Sequence, residues 1–109
     1  MAEPTLTEVF GAGATQTATT ITIAKSDLTG LTASATNRAD ALLAGIVLKA
    51  QTFLTKTAFD ADVDKSIYCS TGFANFVTRG TSNTSYRVDQ VIVNLAKIDT
   101  GATLSPNDY

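Results

Sequence analysis

Residues 37–55 read NRADALLAGIVLKAQTFLT, and this stretch decides the fold because it alone keeps a helical period of apolar residues. Asn37 is placed to cap the first turn, and Asp40 lies near the positive end of the helix dipole. The pattern predicts one long helix on which the rest of the chain packs. Its apolar face is formed by Ala39, Leu42, Leu43, Ile46, Val47, Ala50, Phe53 and Leu54.

Two small residues of this helix, Ala41 and Gly45, lie one turn apart and away from the main apolar stripe. A glycine inside a helix costs about 1 kcal/mol relative to alanine. One interpretation is that another backbone, such as that of a neighbouring subunit, approaches closely here. The other is a glycine tolerated at the surface. Under the first interpretation, Ala41 and Gly45 are candidate interface residues.

The remaining regular structure is expected to be β. Thr, Ile, Val and aromatic residues are concentrated in four segments that we predict as strands. These segments are residues 18–25, 66–71, 73–78 and 86–98. In the last segment the alternation changes phase, so either both faces are covered at one end or a bulge lies near Asp89 and Gln90. The sequence therefore predicts an α+β fold, a small antiparallel sheet with one long helix packed across it.

The two ends of the chain lack a sustained period but contain large apolar residues. Residues 1–16 are predicted to form an N-terminal arm, 17–98 the α+β domain and 99–109 an extended C-terminal tail. A purely solvated tail rarely contains several large apolar side chains. We therefore expect the arms to dock on their own domain or on a neighbour. The candidate anchors are Leu6, Val9 and Phe10 in the N-terminal arm and Leu104 and Tyr109 in the C-terminal tail.

Composition narrows the possible partners. The chain has 109 residues, a length at which a single domain buries roughly two thirds of its unfolded surface. A net charge of −2 with scattered basic residues argues against nucleic acid. Charged residues are 17% of the chain, below the usual value of about 25%. Such a surface, with few charges, favours permanent contacts.

The uncovered face of the sheet predicts an oligomer. One helix covers only one face of a sheet, and Tyr68, Phe76 or Tyr86 can make the other face apolar, so we expect a homo-oligomer.

Neither a membrane nor an oxidising compartment is expected. The longest apolar run, residues 41–48, is far shorter than the roughly 20 residues that span a bilayer. No basic and apolar leader opens the chain. The single Cys69 has no partner for an internal disulfide, which is typical of a protein made in a reducing compartment.

Catalytic chemistry has little support. The chain contains no histidine, which removes the usual general base, the common triads and most zinc sites. Cys69 lies on the same strand face as Ile67, so we interpret it as a buried, inert thiol. We expect no enzyme, no cofactor and no small-molecule substrate.

An acidic run between the helix and the second strand resembles the start of a calcium loop. Asp60, Asp62 and Asp64 alternate as the first ligands of an EF-hand do. However, Lys65 stands at the position of the sharp-turn glycine, and Thr71 at that of the closing glutamate. The two interpretations are a calcium site and a solvated acidic connection.

Two further groups of residues each allow two interpretations. Gly11 and Gly13 are spaced as in a dinucleotide fingerprint, but they precede a strand, so we predict a hinge. Arg38, Arg79 and Arg87 either bind an anion or are scattered surface charges. A small anion- or metal-binding module is therefore an alternative to a structural role.

Three parts of the chain resemble small virion structural proteins of tailed phages that infect cyanobacteria. They are EVFGAGATQ (residues 8–16) with TTITIAKSDL (19–28), the stretch 42–54 with its IVLKAQ centre, and Gly72-Phe73 with VTRG (77–80). The resemblance implies a virion protein, most often a capsid decoration (cement) protein or a tail component. It transfers no catalytic or binding residue.

These arguments together predict a capsid cement protein that stabilises a phage head through protein–protein contacts. The expected partners are the major capsid protein or other virion proteins, and further copies of this chain. The expected location is the virion, assembled in the host cytoplasm. A tail, neck or baseplate component is the alternative within the virion class.

Overall fold

The computed structural model describes residues 3–99, 101 and 103–109. It has a mixed α+β fold with small antiparallel sheets and one long helix, as predicted. The described chain contains three α-helices and six strands. In order they are α1 Leu6–Phe10, β1 Thr15–Gln16, β2 Ile21–Thr22, α2 Ala39–Phe53, α3 Lys56–Ala61, β3 Ile67–Thr71, β4 Asn75–Arg79, β5 Thr84–Val88 and β6 Val91–Leu95.

The long helix α2 is confirmed, but its predicted cap is wrong. Arg38 occupies the N-cap position and makes no side-chain capping bond. Asn37 instead closes the preceding loop, because its Oδ1 accepts from the Ser34 N–H at 2.9 Å and its Nδ2 donates to the Thr32 carbonyl at 3.0 Å. Because both ends of the Asn37 side-chain amide are bound in this loop, α2 begins without a side-chain cap.

Two short helices were not predicted. In α1, Thr5 and Glu8 form a capping box, with the Glu8 N–H donating to Thr5 Oγ1 at 3.2 Å and the Thr5 N–H donating to Glu8 Oε1 at 3.0 Å. This helix packs on α2. In α3, Thr55 Oγ1 accepts from the Ala58 N–H at 3.1 Å. The predicted acidic connection is thus partly helical. Sequence periodicity does not reveal this helix, because it is too short to show a period and is started by a capping hydroxyl.

The strands pair as three separate two-stranded antiparallel ladders, β1–β2, β3–β6 and β4–β5. The β3–β6 register runs from Ile67 opposite Leu95 to Thr71 opposite Val91. The β4–β5 register starts at Asn75 opposite Val88. Residues 67–95 therefore form one long hairpin whose pairing is interrupted in the middle.

The interruption lies where the sequence predicts a phase change. Three residues, 72–74, face two residues, Asp89 and Gln90, between the ladders β3–β6 and β4–β5. The Gly72 N–H donates to the Gln90 carbonyl at 3.0 Å across this gap. One extra residue on one strand is the residue count of a β-bulge, which bends a ladder and increases its twist.

The predicted strand over residues 18–25 is mostly wrong. Only Ile21–Thr22 pair, with Thr15–Gln16, and Ile21 is exposed. The Thr17 N–H donates to the Thr20 carbonyl at 2.9 Å, so the chain reverses immediately before β2. High β propensity does not extend a strand whose only neighbour is two residues long.

Few residues of the described chain are buried. The buried apolar side chains are Ala14, Leu28, Leu54 and Cys69, and none of the described side chains is completely enclosed. The exposed surface is 7985 Å², against about 5,800 Å² for a folded monomer of this mass. The isolated chain buries about half of its unfolded surface, less than the two thirds expected. Its radius of gyration is 16.6 Å, against about 13 Å for a compact domain.

Candidate assembly surface

The outer part of the long hairpin is a two-stranded ribbon, residues 75–88, which we call the hairpin arm. It consists of β4, β5 and the turn at residues 80–83. Gly80 and Asn83 close this turn with φ values of 82° and 52°, in the left-handed region. Every residue of the arm is exposed. An isolated two-stranded hairpin is only marginally stable in water, so this arm needs something to pack on.

The hairpin arm has two different faces. Val77, Tyr86 and Val88 lie on one face, and each is 38–44% exposed. The Arg79 guanidinium lies 4.8 Å from the centre of the Tyr86 ring and extends this face with a cation. The opposite face carries Phe76. One face is therefore an apolar and basic surface of the type that enters protein interfaces.

A groove lies beside the long helix, next to the base of the hairpin arm. Its volume is about 370 Å³. Leu43 and Leu48 contribute exposed apolar side chains, with Leu43 63% exposed. We call it the α2 groove, lined by Asp40, Leu43, Val47, Leu48, Asp89 and Val91. It combines an apolar floor with two carboxylates.

Strand β6 adds a third uncovered region. Ile92 and Val93 point to opposite faces of the β3–β6 ladder, and both are exposed. Tyr68 on β3 is half-buried and stacks on Phe59 of α3 with ring centres 4.8 Å apart. Part of both faces of this ladder therefore stays uncovered, whereas Tyr68, expected on an open apolar face, is partly covered by Phe59.

The N-terminal anchors dock on their own chain. Leu6, Val9 and Phe10 are half-buried on α1, which packs on α2. Val9 and Phe10 line a cavity of about 350 Å³ together with Tyr109 from the other end of the chain. The structure thus brings three of the predicted interface residues to one place, inside a single protomer.

The other predicted interface residues lie elsewhere. Ala41 is half-buried, and Gly45 is buried under Leu28. A Cβ on Gly45 would lie 3.1 Å from the Leu28 Cβ, so Gly45 is not the surface glycine of the second interpretation, and the group that approaches it is a side chain of the same protomer instead of another backbone. Leu104 is 69% exposed.

The described part of the C-terminal tail folds back. Lys97 Nζ donates to the Thr103 carbonyl at 3.0 Å and to Asp108 Oδ2 at 2.8 Å. A short 3-10 turn, Pro106–Asp108, follows Ser105 and leads to Tyr109. The predicted extended tail is therefore held by an ion pair near the base of β6.

The acidic run has local partners. Lys56 Nζ donates to Asp60 Oδ1 at 2.6 Å, a hydrogen bond that raises the pKa of Lys56. Lys65 Nζ lies 3.1 Å from Asp62 Oδ2, and Asp62 Oδ1 accepts from the Asp64 N–H at 2.9 Å. Across the described positions, no three acidic or cysteine side chains converge as a metal site requires. These contacts favour a role of the run in local structure.

The arginines also have neighbours of their own. Arg38 pairs with Asp40 at 3.1 Å, and Arg87 pairs with Asp89 at 2.9 Å. Arg79 and Arg87 occupy opposite faces of the hairpin arm because they differ in strand phase. They are therefore not placed to bind one anion together.

Cys69 is buried on β3. Its N–H donates to the Leu54 carbonyl at 2.8 Å, and burial raises the pKa of its thiol. A raised pKa keeps the sulfur protonated and slow to react. Burial of this thiol, as predicted, is confirmed.

The residues of the hairpin arm and of the α2 groove were not among the predicted interface residues. A signal was present, since residues 75–88 contain two arginines and no acidic residue while their apolar residues fall in both strand phases. The part of the chain that the structure describes has no helix long and apolar enough to cross a membrane. The chain matches no protein-family model, and neither the curated proteins nor the solved structures that were searched include a match.

Proposed function

We propose that this chain is a virion structural protein that binds the outside of a phage head as a cement protein. The observation that supports it best is the uncovered surface. The isolated chain exposes about 2,200 Å² more than a folded monomer of its mass. A standard interface takes about 800 Å² from each partner. The excess is enough for more than one interface, as a subunit with several neighbours requires.

The location of the uncovered residues also supports an assembly role. Large apolar side chains remain exposed on the hairpin arm, on α2 and on β6. Exposed apolar patches of this extent on a soluble chain are typical of protein contact sites. Burying them on a repeated lattice would strengthen the lattice at every subunit. The virus-particle assignment itself comes from the resemblance to small proteins of cyanobacterial phages.

Sedimentation with capsids tests this function. Purified protein is mixed with phage heads that lack minor proteins, and the heads are pelleted. We expect the chain to pellet in numbers comparable with the coat protein. A chain that stays in the supernatant at every ratio would refute the cement role. Binding to isolated tails in the same assay would instead support the tail, neck or baseplate alternative.

A matched pair of variants makes the capsid test specific. Phe73 is 93% exposed and lies in the bulge at the base of the hairpin arm, whereas Val63 is 85% exposed in the loop after α3. Phe73→Asp places a charge beside the exposed apolar residues of the hairpin arm, and Val63→Asp makes the same change at an exposed apolar residue outside the hairpin arm, α2 and β6. Both side chains are exposed, so both variants should fold. Only Phe73→Asp should reduce capsid binding, and equal binding by both would contradict the proposed surface.

A further inference from the structure

The hydrogen bonds of the β3–β6 ladder fix the direction in which each backbone group of β6 points. The Gly72 N–H donates to the Gln90 carbonyl at one end of the ladder. At the other end, the Ala96 N–H donates to the Ser66 carbonyl at 2.7 Å. Hydrogen-bonded and non-hydrogen-bonded residues alternate along an antiparallel pair. The even-numbered residues of β6 therefore bond to β3, and its odd-numbered residues turn their N–H and C=O groups to the opposite edge.

This outer edge of β6 is open. It carries the backbone N–H and C=O groups of Val91, Val93 and Leu95. Among the described strands β6 pairs only with β3, and no described backbone group outside the ladder bonds to these groups. Val93 and Leu95 are also 47% and 44% exposed. A row of unpaired N–H and C=O groups is a template for pairing with another strand.

The other long strands have edges that are partly occupied or carry a charge. On the outer edge of β3, the Cys69 N–H donates to the Leu54 carbonyl at 2.8 Å, and α3 packs on this strand. The strands β4 and β5 contain Arg79 and Arg87, and charged side chains oppose edge pairing. By contrast, β6 reads VIVNL and contains neither a charged residue nor a proline. Its edge is therefore the one best suited to pairing.

We infer that β6 pairs with β6 of a second copy of this chain, antiparallel about a two-fold axis at Val93. In this register Val93 faces Val93 of the second copy, and Val91 faces Leu95 of the second copy. Every outward N–H and C=O group of both strands is then hydrogen-bonded. Any shift along the strand leaves a terminal residue of β6 facing a residue beyond the partner strand. The product is a continuous four-stranded sheet in the order β3–β6–β6–β3.

The chemistry of the edge favours a second copy as the occupant. Antiparallel pairing about a two-fold axis makes one edge complementary to itself, so no second binding surface is needed. The facing side chains are valine with valine and valine with leucine, and no like charges meet because β6 has no charged residue. Main-chain hydrogen bonds supply the affinity of such strand addition. The half-exposed Val93 and Leu95 of both copies are covered in the same step.

This dimer goes beyond the proposed function and does not depend on it. The pairing needs no capsid, so the purified chain should dimerise in solution. A monomeric chain that binds capsids would refute the pairing and leave the cement role standing. A dimer that binds neither heads nor tails would refute the virion role and leave the pairing standing.

Two proline variants test the open edge by sedimentation velocity. Val93→Pro removes an N–H that points away from β3, so the ladder keeps its own bonds, and proline is tolerated at such positions of an edge strand. It removes both donors at the two-fold axis and should weaken dimerisation at least about tenfold. Thr71→Pro is the matched control, because Thr71 is exposed and its N–H points away from β6 on the other edge of the ladder. Thr71→Pro should dimerise like the wild type.

A lysine variant keeps the test valid if a proline variant does not fold. Val93→Lys places two like charges opposite each other at the axis, at a residue that the monomer leaves 47% exposed. It should also weaken dimerisation, whereas Val63→Lys, at an exposed residue outside β6, should not. A monomeric wild type, or equal association of Val93→Lys and Val63→Lys, would overturn the inference. A monomeric wild type whose capsid binding is lost in Val93→Lys would mean that β6 pairs with a strand of a capsid protein instead.

Cross-linking tests the register. Because residue 93 faces its own copy, the single variant Val93→Cys should form a covalent dimer when it is treated with a short bis-maleimide. The wild type is the blank, since its one cysteine, Cys69, is buried. Val63→Cys, at a residue that is 85% exposed, measures random collision. A yield from Val93→Cys no higher than that from Val63→Cys would contradict two-fold pairing at Val93.

Discussion

Replacing Gly11 with alanine should strongly destabilise the packing of the N-terminal segment. Gly11 is buried and has φ 112° and ψ 162°, a region that only glycine occupies readily. A Cβ at this position would overlap the Asp27 Cβ and lie 2.8 Å from its Cγ. Asp27 would have to move, although its Oδ2 accepts a 2.8 Å hydrogen bond from the Gly13 N–H. The two glycines, predicted as a hinge, are thus held against Asp27.

The magnitude follows from two separate costs. Holding alanine in this backbone region costs about 1 to 3 kcal/mol. Losing the hydrogen bond to a carboxylate costs about 1.5 kcal/mol at a half-buried site. We therefore expect Gly11→Ala to lower the free energy of unfolding by about 3 kcal/mol, a large fraction of the stability of a domain with so little core.

Urea unfolding followed by far-UV circular dichroism measures this loss. Gly30→Ala is the matched control because Gly30 also has a positive φ, 75°, but a Cβ there would meet nothing within 4 Å. Gly30→Ala should lower the free energy of unfolding only by the cost of an alanine in the left-handed region, about 1 kcal/mol. Equal losses for Gly11→Ala and Gly30→Ala would refute the argument, because the contact with Asp27 would then contribute nothing.

Two further predictions concern charge and burial. Lys65→Met should lower the free energy of unfolding by about 2 to 3 kcal/mol, because the side chains of Lys65 and Asp62 are only 14% and 12% exposed. In the same urea assay Lys56→Met should have almost no effect, because the side chains of Lys56 and Asp60 are 54% and 57% exposed. Equal effects of the two substitutions would contradict the burial argument. The raised pKa of Cys69 means that the native state binds the thiol proton more tightly than the unfolded state does. The contribution of this thiol to stability should therefore be lost as the pH rises above 9.0, the ordinary pKa of a cysteine thiol. The stability difference between the wild type and Cys69→Ala, measured from pH 7 upward, should shrink with pH, and a constant difference would refute this linkage.

The elements that sequence reasoning identified correctly are those with a strong local pattern. The helix α2 has about four turns of apolar periodicity. The strand β3 alternates regularly, and the phase change at Asp89 and Gln90 marked the break between the two ladders. Burial of Cys69 also followed from pattern. Each of these features depends on residues that are close together in the chain.

The features that were missed depend on single side chains or on distant partners. The helices α1 and α3 begin at the hydroxyls of Thr5 and Thr55, and both are too short to show a period. The length of β2 is limited by its two-residue partner. The side chain of Asn37 was captured by the preceding loop, which left Arg38 as the N-cap.

The sequence by itself determined the α+β class, the long helix and the antiparallel strands, because apolar period and turn residues act over a few neighbours. Only the tertiary structure decided that the long hairpin divides into two ladders and that its outer part is left without a core. Side-chain alternation specifies which residues share a strand face, but not whether another element covers that face. The uncovered hairpin arm beside the α2 groove is therefore visible only in the folded chain.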